Sequence, residues 1–524
     1  MSTDDIELRM ASPPDKGQVL TDHSGGNHFY YSDDETLRRL GKRPLLIRSF
    51  GFMSSLGLSC SALCSWEGAL VSSVPSLLVG GPAAVVWSFL IAWVGITSVY
   101  AVIAELASVA PTAGGQYHWV SMMAPKSYAN FLAYLTGWLT TLAWQATAIT
   151  TSYLSATILQ GIIVLANPAY IPLPWHTVLL MWAVVSFAST VNFVGRILAK
   201  FEGLILILHL VGFFGILVPL VYFSPHNNAD SVFATLYNNG GWPGDGLAFL
   251  VGIPSIASIL VGADCAVHMS EEIQSAATVV PKALLSTIFI NGCLAFATII
   301  SLLFCLTDIS SALEAADTMF YPFLQVFQSG VKSTTGACIM AGVVLVLAIA
   351  SSIGVYATTS RMVWSFARDK GLPFSKQLVK LTQSSSLPLY AIATTMGATV
   401  LLSLIVLGSS AALSALLSLI VSSLYSSYLI VCGLLLWRRC TGDEHDGLSW
   451  GPWRVPEPIG TINNLFACVY TIFMLFWSFW PQTSMPTAES FNWSVLVFGA
   501  VVLFSVVWYA VRAKTYFKGP IKEV

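Results

Sequence analysis

Apolar stretches long enough to cross a membrane recur along most of this 524-residue chain. A helix needs about 20 largely apolar residues to cross the hydrocarbon core. Hydrophobic residues make up 55% of the chain and charged residues only 10%, whereas about a quarter of a soluble domain is charged. The sequence therefore predicts an all-α membrane protein with twelve transmembrane helices, at roughly residues 48–72, 82–108, 127–165, 175–195, 201–223, 247–269, 282–306, 334–360, 387–408, 411–437, 460–481 and 491–511.

Positive charge falls almost entirely on one side of these predicted spans. If the N-terminus is cytoplasmic and the spans alternate, 23 of the 24 Lys and Arg residues lie inside, and only Lys332 lies outside. Such an asymmetry is what the positive-inside rule describes for a multi-pass protein. We therefore expect both termini in the cytoplasm, with a disordered tail over residues 1–45 and a short tail over residues 512–524.

The remaining composition narrows the class of function. A net charge of −2 gives no reason to expect nucleic acid as a partner. The nine Cys residues are scattered, mostly inside apolar spans, without the paired spacing of a metal site or a disulfide framework. The phosphate-binding motif Gly-x-x-x-x-Gly-Lys-Ser/Thr does not occur. We expect no cofactor and no metal, and the lipid bilayer as the surroundings.

Two of the predicted spans carry helix-breaking residues near their middle. The first contains Gly57–Gly68, a segment dense in Gly and Ser that includes the acid Glu67, and the sixth contains Pro254 and Gly262. Proline removes a backbone donor and glycine weakens a helix, so both spans can unwind. Spans one and six head two consecutive groups of five. This pattern predicts a 5+5 inverted-repeat transporter with discontinuous helices 1 and 6 and a site at the midplane.

Four motifs, in this order, are typical of one superfamily. They are Gly80–Pro82, Glu105–Trp119, Gly262–Glu272 and Phe366–Pro373. With them the chain resembles the amino acid–polyamine–organocation (APC) superfamily, and within it the fungal amino acid/choline transporter branch, which includes GABA and choline permeases. The resemblance covers about residues 45–515. It implies a ten-helix transport core over residues 46–437, two additional transmembrane helices over residues 460–511, and the LeuT-like fold of neurotransmitter–sodium symporters.

The function that this resemblance implies is secondary active transport rather than catalysis. The substrate would be an amino acid, GABA, choline or a related amine, moved by alternating access and driven by protons or, as an alternative, by sodium. The location would be the plasma membrane, or else the vacuolar membrane. Two other interpretations stay open: a sensor of the same fold that binds an amino acid without transporting it, and an exporter of a basic secondary metabolite.

The first span offers the sharpest candidate for substrate binding. Ser65, Trp66, Glu67 and Gly68 match the unwound first-span segment of the superfamily. A charge at the bilayer centre costs at least about 2.5–3.5 kcal/mol, so an acid there usually lines a pathway or meets a partner. A carboxylate can pair with an ammonium group, and an indole ring face can meet an alkylated amine. The alternative is that Glu67 hydrogen-bonds a neighbouring helix and Trp66 only packs.

The sixth span is expected to contact the substrate through backbone groups rather than through side chains. Asp264 follows the predicted unwound segment, where it could accept a proton, act as a gate, or cap the half-helix that begins there. The backbone groups expected to contact the solute belong to five consecutive residues: Ile259, Leu260, Val261, Gly262 and Ala263.

Span five carries the candidate for ion coupling. The resemblance aligns His209 with a Lys that serves proton coupling in bacterial relatives, and imidazole exchanges protons near neutral pH. The alternative for His209 is a structural hydrogen bond, and Ser351 and Ser352 could instead help to bind sodium. Trp144 and Tyr356 are candidates to close the cavity, and so are Gln145 and Tyr425. The alternative for each is packing or a place in the aromatic belt at the lipid interface.

Three acids at the cytoplasmic ends of spans are expected to be solvated: Glu105, Glu271 and Glu272. The alternative for them is a role as inner-gate or loop-anchoring charges.

Overall fold

The computed structural model describes residues 19–21, 27–29, 32–194, 198–382, 386–408, 412–441, 449–488 and 490–524. Within these ranges ten helices are long and apolar enough to cross a membrane, and Asp245–Leu260 is a shorter apolar helix. The chain is therefore a multi-pass membrane protein, as the sequence predicts.

Helices make up most of the described residues. Two short strands, β1 (Val19–Thr21) and β2 (Asn27–Phe29), pair antiparallel before the first helix. The helices are α1 (Asp33–Arg39), α2 (Phe52–Leu63), α3 (Ser65–Val109), α4 (Gln116–Met123), α5 (Ala129–Ala166), α6 (Pro174–Phe193), α7 (Leu198–Phe223), α8 (Ala229–Phe233), α9 (Asp245–Ala257), α10 (Cys265–His268), α11 (Ala276–Cys305), α12 (Ile309–Met319), α13 (Pro322–Val331), α14 (Thr334–Arg368), α15 (Ser375–Leu378), α16 (Leu389–Ser403), α17 (Ala412–Thr441), α18 (Ile459–Ser478), α19 (Ser494–Trp508) and α20 (Lys514–Tyr516).

The helix α3 contains parts of two predicted spans. Its 45 residues are divided at Gly81, whose backbone is non-helical (φ 82°, ψ −178°). The loop before α9 holds this turn, because Tyr237 N donates to Gly80 O and Ala83 N donates to Thr235 O. A Cβ atom at Gly81 would lie 2.8 Å from Tyr237 N, so the turn requires glycine for space as well as for its positive φ.

The first predicted interruption is present but spans a single residue. Helix α2 ends at Leu63, Cys64 is left-handed (φ 47°, ψ 48°), and α3 begins at Ser65. Cys64 N still donates to Cys60 O, and Gly68 N donates to Cys64 O. The first span is therefore kinked at this point, with most of its backbone hydrogen bonds kept.

The second predicted interruption is longer. Helix α9 ends at Ala257, a 3₁₀ turn covers Ser258–Leu260, and Val261 is extended. Gly262 then takes a φ of 117° before α10 begins at Cys265. Much more backbone is freed here than at Cys64, so the two interruptions differ in size.

Small residues let the long helices approach closely. A Cβ atom at Gly57 of α2 would lie 2.3 Å from the carbonyl oxygen of Glu202 on α7, and one at Gly292 of α11 would lie 2.0 Å from the Trp93 ring. Without a hydrophobic force between helices in lipid, such contacts of small residues stabilise the bundle by close packing.

The N-terminal segment differs from the expected disordered tail over residues 1–45. Residues 1–18, 22–26 and 30–31 lie outside the described residues, but Asp33–Arg39 forms helix α1. The Asp33 carboxylate accepts hydrogen bonds from Ser275 N and Ala276 N, which tie α1 to the start of α11. Sequence composition alone missed this order because it depends on groups more than two hundred residues away.

The last residues of the chain also pack against the bundle. Glu523 N donates to Gly41 O at 2.6 Å, and Ile521 N donates to the Asp369 carboxylate at 2.8 Å. We call the end of the bundle where Gly41–Arg43 meets Gly519–Val524 the termini-bearing face.

We expect Gly57→Ala to lower the thermal unfolding temperature of the purified protein in detergent, because the added methyl group must push α2 away from α7. Overpacking of this kind costs about 1–3 kcal/mol. Gly203→Ala is the matched control, since no atom lies within 4 Å of the corresponding Cβ position. Equal unfolding temperatures for the two variants would contradict the close contact.

Candidate functional site

A cavity of about 80 Å³ lies at the level of the two interruptions, between α2, α3, α5, α14, α17 and the 3₁₀ turn that follows α9. Cys64 and Ser258 form part of its wall, so both kinks face the same space. Its polar and apolar wall is suited to a small organic solute. Of the residues predicted to contact the solute, four line the cavity: Glu67, Gly68, Ile259 and Val261.

Glu67 and His209 form a buried pair beside this cavity. His209 Nδ1 lies 2.7 Å from Glu67 Oε1, and the two side chains are 1% and 2% exposed. Among the described residues, no nitrogen or oxygen donor reaches Glu67 Oε2, and His209 Nε2 has no partner either. The structure therefore joins the predicted substrate contact and the predicted coupling residue, and it leaves one carboxylate oxygen for a further ligand.

Trp66 and Ser65 do not face the cavity. Trp66 Nε1 donates to His209 O at 3.2 Å, and its ring packs edge-on against Phe213. Ser65 Oγ donates to the side chain and backbone oxygens of Asn291 on α11. The expected arrangement of an acid and an indole facing one solute is therefore not what the structure shows, because the Trp66 side chain packs against His209 and Phe213 of α7.

The freed backbone of the sixth span is held by one hydroxyl group. Tyr100 Oη accepts hydrogen bonds from Gly262 N (2.9 Å) and Ala263 N (3.1 Å) and donates to Leu260 O (3.1 Å). Three of the backbone groups that we expected to contact the solute are thus occupied by Tyr100. Direct solute contact in this conformation is left to Ile259 and Val261, which line the cavity.

Asp264 joins helices rather than capping one. It occupies the N-cap position of α10 without a side-chain capping bond. Its carboxylate accepts hydrogen bonds from Gln116 Nε2 (2.5 Å) and Tyr428 Oη (2.8 Å), and His268 Nε2 lies 3.9 Å away. This residue is fully buried and does not line the cavity, so its geometry is that of a tie between α4, α10 and α17.

Four aromatic and amide side chains predicted near the cavity lie elsewhere. Trp144 packs edge-on against His268, and Tyr356 Oη lies 3.4 Å from Ser152 Oγ. Gln145 donates to Thr399 on α16, and Tyr425 bonds the hydroxyl of Tyr470 on α18. None of the four is among the residues that line the cavity, because each points to a neighbouring helix.

Polar residues of α5 and α14 line the cavity although they were not predicted as substrate contacts. Thr147, Thr150 and Thr151 occupy one face of α5 at the i, i+3 and i+4 spacing, which could have identified them from the sequence. Their hydroxyl groups donate to carbonyls of their own helix, so a solute would meet these hydroxyl oxygens as acceptors rather than as donors. Ser351, the candidate for sodium binding, lines the cavity and donates to Ala62 O at 3.3 Å, whereas Ser352 bonds Ala348 O.

The expected solvated acids are buried in ion pairs at the termini-bearing face. Glu272 accepts from Arg361 at 2.7 Å, Glu271 from Arg368 at 3.0 Å, and Glu105 from Arg439 at 2.5 Å. The prediction of solvated acids was therefore wrong: these residues are 7%, 3% and 0% exposed. Each pair links elements that are distant in sequence, so together they close this end of the bundle.

The C-terminal tail reinforces this closure. The Glu523 carboxylate accepts hydrogen bonds from Arg368 (2.5 and 2.7 Å) and from Arg43 N (2.9 Å). Burial raises the pKa of Glu523, but the hydrogen bonds and charge of Arg368 lower it more, and the net result is a pKa below the ordinary carboxyl value. Glu523 is therefore charged at neutral pH, and its contact with Arg368 would be lost only as the pH falls through that lowered pKa.

Comparison with known proteins agrees with this architecture. The profile of the family described as "Amino acid permease" matches residues 50–501, which is most of the chain. The chain belongs to this family. The resemblance to the APC superfamily is thereby confirmed.

The curated relatives of this permease are fungal transporters. The choline transporter of Saccharomyces cerevisiae is 28% identical over 474 residues, which cover 90% of this chain and 83% of the relative. Amino-acid permease 2 of Neurospora crassa is 27% identical over 497 residues, covering 94% and 89%. A putative amino acid/polyamine transporter of Macrophomina phaseolina is 28% identical over 448 residues, covering 84% and 96%. The permease is therefore a membrane transporter of amino acids or related compounds.

We expect Tyr100→Phe to lower the unfolding temperature of the permease and to speed amide exchange at residues 260–263. Without the hydroxyl, two backbone donors and one acceptor lose their partner, and each unsatisfied buried group costs about 1–3 kcal/mol. Tyr425→Phe is the control, because it removes a buried hydroxyl whose partner among the described residues is Tyr470 on α18 rather than the freed backbone. If both variants behaved alike, Tyr100 would have no special role in holding the sixth span.

Proposed function

We propose that the permease is a secondary active transporter that carries a small amine, such as choline, GABA or an amino acid, by alternating access. The observation that supports this is the wall position of Glu67, with Oε1 bonded to His209 and Oε2 free of nitrogen and oxygen donors among the described residues. Glu67 lies in the wall of the cavity, and no described lysine or arginine pairs with its carboxylate, which can therefore attract a cationic nitrogen. The names of the choline and amino acid relatives agree with such a solute.

The proposed architecture has twelve crossings in a 5+5 arrangement. Gly81 divides α3 into the end of the first crossing and the second, and α9 with α10 forms one interrupted sixth crossing. The remaining crossings are α5, α6 and α7 in the first half, α11, α14, α16 and α17 in the second, and the additional pair α18 and α19. Interruptions at the heads of both halves, facing one cavity, support this count because inverted-repeat transporters bind their substrates there.

The proposed orientation places the termini-bearing face in the cytoplasm, with the plasma membrane as the location. The distribution of Lys and Arg supports this, and so does the position of the buried Arg361, Arg368 and Arg439 at that face. In this orientation the structure is closed towards the cytoplasm by ion pairs. Opening of that side would require the pairs to separate, which is the step that delivers the solute.

The proposed coupling ion is the proton, carried by His209. A protonated imidazole and a cationic solute would both interact with the Glu67 carboxylate, so the binding of one changes the affinity for the other. The two positive charges oppose each other, and lowering the pH should therefore weaken binding of a cationic solute. Neutral His209 leaves the carboxylate charge available to the solute.

The substrate proposal is tested by counterflow in proteoliposomes with choline, GABA, ethanolamine, arginine and alanine, with and without pH or sodium gradients. We expect Glu67→Gln to weaken the apparent affinity for the cationic solutes by about ten- to a hundredfold, since a charged hydrogen bond contributes about 1.5–3 kcal/mol. Asp230→Asn, which removes the same charge from the exposed side of the short helix α8, is the control. Unchanged kinetics in well-expressed Glu67→Gln would refute the cation site, and binding without accumulation in the unmodified protein would indicate a sensor.

We expect His209→Gln to abolish accumulation driven by a pH gradient while counterflow at equal pH continues. The amide cannot exchange a proton, and the solute affinity of this variant should no longer fall at low pH. The measurement is uptake of labelled solute against imposed pH gradients. Uphill uptake that persists in His209→Gln would show that the proton is carried elsewhere.

A further inference from the structure

Helix α7 carries a second buried acid that the proposed transport site does not use. Glu202 is 0% exposed. Ser61 Oγ donates to Glu202 Oε2 at 2.6 Å, whereas Glu202 Oε1 has no partner among the residues that the structure describes. At the contact between α2 and α7, one oxygen of this carboxyl group therefore has a hydrogen bond, and the other has no described partner.

This carboxyl group is enclosed by α2 and α14. A Cβ atom at Gly354 of α14 would lie 3.2 Å from Glu202 Oε1, so the glycine leaves the room that this oxygen occupies. On the other side, Gly57 brings α2 against the backbone of Glu202, and Ser61 lies one turn further along α2. Movement of α2 away from α7 would remove Ser61 from the carboxyl group and Gly57 from the Glu202 backbone, and would let water reach the carboxyl group.

No described basic side chain forms an ion pair with Glu202. The titratable groups around it are the Cys265 thiol from α10 and, two turns along α7, His209, which is bonded to Glu67. The first basic residue of α14 after Gly354 is Arg361, and it pairs with Glu272. Helices α11 and α13 also touch α7, but none of their described titratable groups interacts with Glu202. Arg196 lies outside the described residues.

The free-energy cost of burying a charge determines whether the Glu202 carboxyl group is protonated. An ionised carboxylate taken out of water without a cationic partner costs several kcal/mol. A protonated carboxyl group needs only hydrogen bonds, and Ser61 supplies one. The packed arrangement of α2 on α7 therefore suits the protonated form, whereas separation of the two helices would hydrate the group and stabilise the charged form.

We infer that Glu202 is a proton-binding site that controls the opening of α2, the part of the first span nearest the termini-bearing face. When α2 withdraws, the O–H bond of the carboxyl group breaks, the proton passes to water, and the carboxylate keeps the electron pair. No other bond changes. The inference rests on the proposed function only for placing that water in the cytoplasm.

The direction of the pH effect follows from proton counting. The packed state binds one proton more than the open state, so raising the pH favours opening. For a single group the open fraction rises by at most about tenfold per pH unit. Acidification should keep α2 packed on α7 and the termini-bearing side closed.

Hydrogen–deuterium exchange of the full-length permease in nanodiscs tests the inference without any substrate. We expect the protection of amides in Phe52–Leu63, corrected for intrinsic exchange rates, to fall as pH rises from 6 to 8, by up to about tenfold per unit. In Glu202→Gln, which keeps a hydrogen-bond acceptor for Ser61 and cannot ionise, protection should become independent of pH. Glu202→Asp, which keeps a carboxyl group, should restore a dependence on pH.

Three outcomes would overturn the inference. One is protection of α2 in the unmodified protein that does not change with pH, which needs no variant to fold. Another is protection of α2 in Glu202→Gln that depends on pH as it does in the unmodified protein. The same conclusion would follow if only His209→Gln removed this dependence on pH. The third is a change in protection caused by replacing potassium with sodium rather than by pH, which would identify a sodium site. Because no solute is added, these results are independent of counterflow, and either proposal can fail alone.

Discussion

The absence of water from the hydrocarbon core determines how this permease is built. Every backbone donor and acceptor freed at that depth needs a partner from the protein or from a water-filled cavity. The sixth span frees several such groups between Ser258 and Asp264, and the hydroxyl of Tyr100 on α3 satisfies three of them. The first span loses its helical form only at Cys64 and keeps its neighbouring hydrogen bonds. The cavity lies between these two points, where both helices are interrupted and the freed backbone groups find partners within the protein.

Buried charge is subject to the same constraint, and the permease meets it in two ways. At the termini-bearing face acids and arginines pair with each other, as Glu271 does with Arg368 and Glu105 does with Arg439. Elsewhere in the bundle two acids have no arginine or lysine partner among the described residues: Glu67 meets the imidazole of His209 at the cavity wall, and Glu202 meets a hydroxyl group between α2 and α7. A paired acid is stable in a single arrangement, whereas an acid without a cation responds to a solute, a proton or water. This contrast separates the structural acids from the proposed functional ones.

Several elements of the fold could be predicted because they depend on local sequence. Long apolar runs produce membrane-crossing helices wherever they occur, and Pro254 and Gly262 weaken the sixth span whatever surrounds it. It was harder to predict which side chains from different helices contact each other. Trp66 was expected in the cavity, but it packs against α7, where its ring meets His209 and Phe213. Trp144 and Tyr356 contact neighbouring helices, which was the alternative for them, and the three acids expected to be solvated form buried ion pairs. Each of these side chains is positioned by a helix remote in the chain.

The sequence by itself determined the class of the protein, its family, the two interrupted spans and the candidates Glu67 and His209, because composition, helix-breaking residues and motifs are properties of neighbouring residues. Only the tertiary structure decided that Glu67 and His209 bond to each other across 142 positions, that Tyr100 occupies the freed backbone, and that Glu202 lies between α2 and α14. These facts depend on how helices turn and pack against one another. A linear pattern records which face of a helix is polar, but not which partner that face will meet.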